Sequence, residues 1–252
     1  MKLLTLARDL QRRKARERDH LFVAEGIRAS EELLAAPVTI DGALVSPALG
    51  ATPRGAALRA ALDARGVPVH DVTDREFTSA ASTESPQGVL IIAQVPHWSL
   101  DALPASRNAR MLVLDGVQDP GNVGTMVRTA AAFGVTATLA LPGTVDLWNA
   151  KVVRSAMGAL FSRPAFPVTW DALEGFLRSR DIPLWGADAA GQPLDERPSP
   201  ERLAIAVGNE GNGLSSAVRE AAEHLVAIPI ASHVESLNVA VATGILLYHF
   251  RP

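Results

Sequence analysis

Apolar residues recur along this chain in two rhythms. Leu3, Leu4, Leu6 and Leu10 fall at helical spacing and run into a basic stretch. Phe22-Val23-Ala24 follows, then a break at Gly26 and a helical pattern from Ile27 to Ala36. Ala43-Leu44-Val45 and Val67 to His70 read as short strands, with a helix from Gly55 to Arg65 between them. Gly88 to Ala93 is a continuous apolar run entered through the turn-forming Ser85-Pro86-Gln87, the mark of a buried strand. These elements predict a small α/β domain over residues 1–95.

Between Pro96 and Asn108 the rhythm lapses into prolines and small polar residues, which predicts an interdomain linker over 96–108. The pattern from 109 to 252 is more regular. Met111–Leu114, Thr136–Leu141, Ile182–Ala187, Leu203–Val207 and Val226–Ile230 are short apolar runs, and helical segments separate most of them. Uninterrupted apolar strands alternating with helices predict a parallel sheet covered on both faces. In such sheets ligands bind beyond the carboxyl ends of the strands.

Composition narrows the chemistry. The 252 residues are 48% hydrophobic and carry 24 basic against 27 acidic side chains, so the chain folds and is no polycation. The absence of cysteine excludes disulfides, thiolate metal sites and thiol nucleophiles. The six histidines form no close ligand pair, so no metal is expected. Lys2 is followed by only five uncharged residues before Arg8, too few for a secretory signal. The longest uncharged apolar stretch, Leu237 to Phe250, falls short of the roughly 20 residues that span a bilayer. A cytoplasmic protein without membrane contact is expected. Residues 1–20 hold seven basic side chains against Asp9, Glu17 and Asp19, a local excess of +4 and a candidate nucleic-acid contact.

Three loops sit where a site belongs. Asp115 to Gly124 follows the first strand of the second half and opens a helix bearing Arg128; Gly208 to Ser215 and Ala231 to Asn238 follow two later strands. Arg128, Glu210 and Glu235 are each the lone charge in a long apolar or glycine-rich stretch. A lone charge there is expected to be partly buried and to need a partner, a ligand or a shifted pKa. Gly208, Gly211 and Gly213 predict a ligand cradled by main-chain groups. Neither the dinucleotide fingerprint nor a phosphate-binding loop is present, and no serine lies in a nucleophile elbow.

Asn122-Val-Gly124 leading to Arg128-Thr129-Ala130, Gly208-Asn-Glu-Gly211 with Gly213-Leu214-Ser215, and Ile228-Pro229 leading to Ser236-Leu237-Asn238-Val239 resemble the three motifs of the SpoU (TrmH) family. These are S-adenosyl-L-methionine-dependent RNA 2′-O-ribose methyltransferases of the SPOUT superfamily, and the resemblance spans residues 111–250. The first half, through Phe22-Val-Ala-Glu25-Gly26 and Pro86-Gln87-Gly88-Val89, resembles the family's ribosomal-protein-like RNA-binding domain. The resemblance implies a parallel-sheet α/β domain tied in a C-terminal trefoil knot from about Leu203 to Phe250. It also implies a homodimer formed through that domain, with the helices at Asn122–Phe133 and Leu237–Phe250 as interface elements.

By the same resemblance, S-adenosyl-L-methionine is held by Gly208, Glu210, Gly211, Ile228, Pro229, Ser236, Leu237 and Asn238. The residues expected to act on the substrate are Arg128, Asn122, Glu210, Ser236 and Asn238. Arg128 assists loss of the hydroxyl proton, Asn122 caps its helix or orients the nucleotide, and Glu210 anchors its loop or Arg128. Ser236 and Asn238 position the ribose. A guanidinium is a poor base, so Arg128 is expected to hold phosphate and polarise the hydroxyl. The appended first domain favours ribosomal RNA of the 23S type over transfer RNA. A non-catalytic RNA-binding protein on this scaffold, or an ordinary doubly wound nucleotide enzyme, would carry the same pattern of strands.

Overall fold

The computed structural model describes residues 2–196, 199–231 and 234–251; Ser232 and His233 of the third strand-end loop lie outside the described residues. In chain order the elements are α1 (Lys2–Asp9), α2 (Arg13–Asp19), β1 (Leu21–Glu25), α3 (Ile27–Ala35), β2 (Ile40–Val45), α4 (Pro53–Ala64), β3 (Val69–Asp71), α5 (Asp74–Thr78) and β4 (Val89–Gln94). There follow β5 (Arg110–Asp115), α6 (Pro120–Ala132), β6 (Ala137–Ala140), α7 (Ala150–Ala156), α8 (Ala159–Ser162), β7 (Ala165–Pro167), α9 (Trp170–Ser179) and β8 (Leu184–Pro193). The last are β9 (Leu203–Gly208), α10 (Ser216–Ala221), β10 (His224–Ala227) and α11 (Val239–His249). Two compact units result: Met1–His97 with Trp148–Ser162, and Trp98–Leu147 with Arg163–Pro252.

The first unit is built on a sheet of order β1-β4-β2-β3, antiparallel except for the β2–β3 pair. Alternation along β1 sends side chains to both faces of the sheet, and all five residues of the strand are buried. Leu21 and Val23 join a core of Leu4, Leu10, Leu44, Phe77, Leu90 and Ile92. Phe22 points the other way, its ring centroid 4.5 Å from Trp148 and 5.6 Å from Phe161. These two partners come from far along the sequence. The sequence pattern assigns residues 148–162 to the second domain, yet burial of both faces of β1 draws them into the first unit.

The second unit is a six-stranded sheet of order β10-β8-β9-β5-β6-β7, and every neighbouring pair is parallel. One face packs Met111, Val113, Ala204 and Ala206 against Leu173, Phe176 and Val218 of α9 and α10. On α11, Thr243 donates from Oγ1 to Met126 Sδ of α6 at 3.1 Å, so these two helices are in contact. The expected linker is partly core: Leu103 is buried, with Trp98 and Leu100 packed beside it. From β5 the chain proceeds to β6 on one side, while from β9 it proceeds to β10 on the other. The crevice between the carboxyl ends of β5 and β9 is therefore a topological switch point, where loops diverge and leave room for a ligand.

Candidate active site

At the switch point Asp115 ends β5 directly opposite Gly208, which ends β9. Asp115 is buried, and its Oδ2 accepts the Ser215 amide at 2.6 Å, fixing the far end of the glycine-rich loop. Within that loop Asn209 and Gly213 exchange backbone hydrogen bonds of 2.9 Å each way. A Cβ at Gly208 would stand 2.2 Å from the Gly213 carbonyl carbon, so the tight crossing demands glycine there. Asn209 donates to the Gly116 carbonyl at 2.9 Å and accepts the amides of Gly211 and Asn212, which joins this loop to the one after β5.

Glu210 makes the main cross-link. Its carboxylate accepts Asn122 Nδ2 at 3.1 Å and the amides of Gln118 and Asp119 at 3.3 Å each. Partial burial opposes ionisation of Glu210, but the hydrogen bonds from Asn122, its own amide, Gln118 and Asp119 together prevail and hold its carboxyl below the usual glutamate range. Asn122 is used on both sides, since its Oδ1 accepts Asn238 Nδ2 at 3.1 Å. Asn238 in turn caps α11 by accepting the amides of Ala240 and Val241. Residues from the glycine-rich loop, the first turn of α6 and the cap of α11 thus form one chain, Glu210–Asn122–Asn238. The cap of α6 is Asp119, which accepts the Asn122 amide at 2.7 Å; the Asn122 side chain bridges the loops instead of capping.

Beside this chain lies a cavity of about 380 Å³ lined by Gly208, Glu210, Ile228, Ser236, Leu237 and Asn238 among others. Six of the residues expected to hold a cofactor therefore share one wall system. Gly211 and Pro229 do not line it; Gly211 is spent on the turn with Asn209. The strand expected to reach Ile230 stops at Ala227, and this frees Ile228 and Ile230 for the lining. Asp188, from the irregular middle of β8, also lines the cavity. Sequence reasoning passed over it, although the strand-end rule applied to Ile182–Ala187 points to the Asp that follows.

Arg128 departs from expectation. It lies exposed on α6 and makes no hydrogen bond or ion pair with any described residue. Glu235 is likewise exposed, at the cavity. In the basic segment of residues 1–20 the three acidic side chains are taken up by Arg12 with Asp9, Arg13 with Glu17 and Arg18 with Asp19, which leaves the local excess of +4. Arg16 is buried and donates to the Leu10 and Gln11 carbonyls. Among the described residues no group of three or more His, Asp or Glu is placed to hold a metal ion, and no helix is long and apolar enough to cross a membrane.

All three motif loops lie within the range matched by one family model. Residues 109–248 match the model of the SpoU rRNA Methylase family, and residues 5–91 match an MRM3-like substrate binding domain. The chain belongs to the SpoU rRNA methylase family. It is 34% identical over 244 residues, 96% of this chain and 93% of the other, to the 23S rRNA (guanosine(2553)-2′-O)-methyltransferase RlmP of Bacillus subtilis. A putative RNA methyltransferase of the TrmH family from Porphyromonas gingivalis superposes with a TM-score of 0.82 at 31% identity, covering 99% of this chain and 97% of that one. An AdoMet-bound rRNA methyltransferase from Sinorhizobium meliloti superposes with a TM-score of 0.86 at 26% identity, covering 98% and 93%. The likeness to these structures covers nearly the whole chain and so takes in both units.

Proposed function

We propose that this SpoU methylase transfers a methyl group from S-adenosyl-L-methionine to a ribose 2′-hydroxyl of RNA, most naturally in 23S-type ribosomal RNA in the cytoplasm. The observation that carries the reading is the Glu210–Asn122–Asn238 chain running beside a glycine-floored cavity at the switch point. The cavity residues Gly208, Ile228 and Leu237 offer close backbone approach and apolar contact, which suits a nucleoside. When bound, the cofactor supplies an electrophilic methyl group carried on a sulfonium.

The chain's own residues then have defined tasks. Asn122 and Asn238, each held by two neighbours, fix the edge of the cavity against which a ribose must lie for in-line attack. Glu210 holds the loops together as an anion with its bonds already made, so it is a positioning residue. Arg128 is free to take the substrate: its guanidinium holds an RNA phosphate and polarises the 2′-hydroxyl, and the proton leaves to phosphate or water, since a guanidinium cannot accept it. DNA lacks the 2′-oxygen and is no acceptor.

Two further parts belong to this reading. Val241, Ile245 and Tyr248 are 53%, 38% and 57% exposed and recur at helical spacing on α11, so they form an uncovered apolar stripe. A second copy of the chain covers it, and α6 with Arg128 packs beside α11 in each copy. The segment from Leu203 to Phe250 is tied as a trefoil knot, and the first unit binds the RNA. Mapping ribose 2′-O-methyls in cells with and without the protein tests the reading. One methyl on large-subunit ribosomal RNA should vanish; loss from transfer RNA alone, with ribosomal RNA unchanged, would move the assignment to the transfer RNA class.

A further inference from the structure

Strand β8 is interrupted where it meets β10. Trp185 and Gly186 pair with His224 and Leu225, and the next pairs are Gln192 with Val226 and Pro193 with Ala227. Residues 187–191 therefore loop out against a single step of the partner strand. Gly191 lets the strand close again, because a Cβ there would stand 2.6 Å from the Leu225 carbonyl. The looped residues Ala187, Asp188 and Ala189 face the cavity. Asp188 is held from two directions: the Ala190 amide donates to Oδ1 at 2.8 Å, and Arg219 of α10 donates to Oδ2. Its side chain is only 12% exposed. The bulge presents one rigid carboxylate to the cavity wall.

Charge sets this cavity apart from a plain nucleoside cleft. The ionisable residues lining it are Asp188, Glu210 and Glu235, all acidic, and no described lysine or arginine lines it. Glu210 is occupied by Asn122 and two amides, and Glu235 is exposed. Asp188 is thus the fixed negative charge least open to water.

We infer that Asp188 is a specificity-determining residue through which the cavity prefers S-adenosyl-L-methionine to S-adenosyl-L-homocysteine, the thioether left after transfer. The inference rests on the methyl-transfer reading above. The two molecules share nucleoside and amino-acid tail and differ by one methyl and one positive charge. Backbone contacts and apolar walls barely separate them; a fixed carboxylate does. A unit charge several ångströms away, through the partly screened interior of a protein, changes binding by roughly tenfold. Transfer of the methyl removes the cation that Asp188 favours, so the spent cofactor is held less tightly and leaves. Arg219 tempers the effect by cancelling part of the Asp188 field.

Titration calorimetry on the full chain with each of the two ligands, for wild type, Asp188→Asn and Arg219→Gln, decides the matter. The wild type should bind the sulfonium more tightly. Asp188→Asn, which keeps shape and can still accept from one of its two donors, Arg219 or the Ala190 amide, should weaken the sulfonium about tenfold and leave the thioether within roughly twofold. Arg219→Gln should raise the preference, and this second variant carries the test if the first does not fold. Equal weakening of both ligands by Asp188→Asn would overturn the inference and place Asp188 on the shared nucleoside. No change in either would overturn it too. Wild-type protein that binds neither ligand would defeat the cofactor reading itself, an outcome distinct from both.

Discussion

Asn122 shows how much one side chain does at this site. Its amide nitrogen serves Glu210 and its oxygen serves Asn238, so replacing it by alanine strands partners in two loops at once. Asn122→Ala should cost about 1 kcal/mol of stability, the usual net worth of such bonds at a half-buried site, and far more in turnover. Urea midpoints beside single-turnover rates would check the split. Arg128→Lys keeps the charge but loses the planar fork, and turnover should fall roughly tenfold to a hundredfold with cofactor affinity unchanged. Lysine at near-wild-type speed would argue against bidentate phosphate contact. Glu210 sets a pH window. Its folded pKa lies below the unfolded value of about 4.3, so its contribution to stability is complete above that pH and fades as pH falls through the folded value. The stability gap between wild type and Glu210→Gln should be widest near neutrality and narrow as the pH falls below the ordinary glutamate range; a gap independent of pH would refute it. The three lone charges were legible in the sequence, but their surroundings were not. Among the described residues only Glu210 has protein partners, because Gln118, Asp119 and Asn122 lie across the switch point from it, while Arg128 looks outward from a helix whose inner face is taken by Val123, Met126 and Val127.

Among the elements, α11 is the one whose role changes most between sequence and structure. The apolar run from Leu237 predicted a helix starting there, yet Asn238 caps it and leaves Ser236 and Leu237 in the loop that lines the cavity. An apolar run cannot reveal its own first residue; only the cap geometry does. Asn238→Ala removes that cap together with the link to Asn122, and should cost about 1–2 kcal/mol. In the proposed dimer the outward stripe of α11, with Val241, Ile245 and Tyr248, is the interface. Val241→Glu with Tyr248→Asp should shift the protein from dimer to monomer mass in sedimentation, whereas an unchanged dimer would place the interface elsewhere. Short elements escaped the sequence pattern. Helix α5 has five residues and depends on a capping box between Thr73 and Glu76, and β7 has three residues, too few to show a period.

For the molecule as a whole, the less foreseeable matter is which residues make a unit. Continuity along the chain suggested a first domain ending near residue 95, and β1 reads as buried without saying by what. The structure supplies Trp148 and Phe161, both buried, against Phe22. Arg154 of α7 donates to Ser82 Oγ at 3.2 Å, and Ser82 with Thr83 holds the buried Glu25, so polar contacts follow the aromatic ones. No local pattern encodes such a return, since the partners are more than a hundred residues apart and each strand face looks equally apolar. A chain of residues 1–97 alone therefore bares the Phe22 face. Loss of packing on a large buried aromatic is worth about 3–5 kcal/mol, a large part of the roughly 5–15 kcal/mol that holds a domain together. Such a chain should melt broadly and bind hydrophobic dye. Joining residues 148–162 to it through a flexible linker should restore a cooperative transition, and Trp148→Ala in the joined chain should abolish that gain. A sharp, dye-free melt from residues 1–97 alone would show that the returning segment is an accessory to this unit and not part of its core.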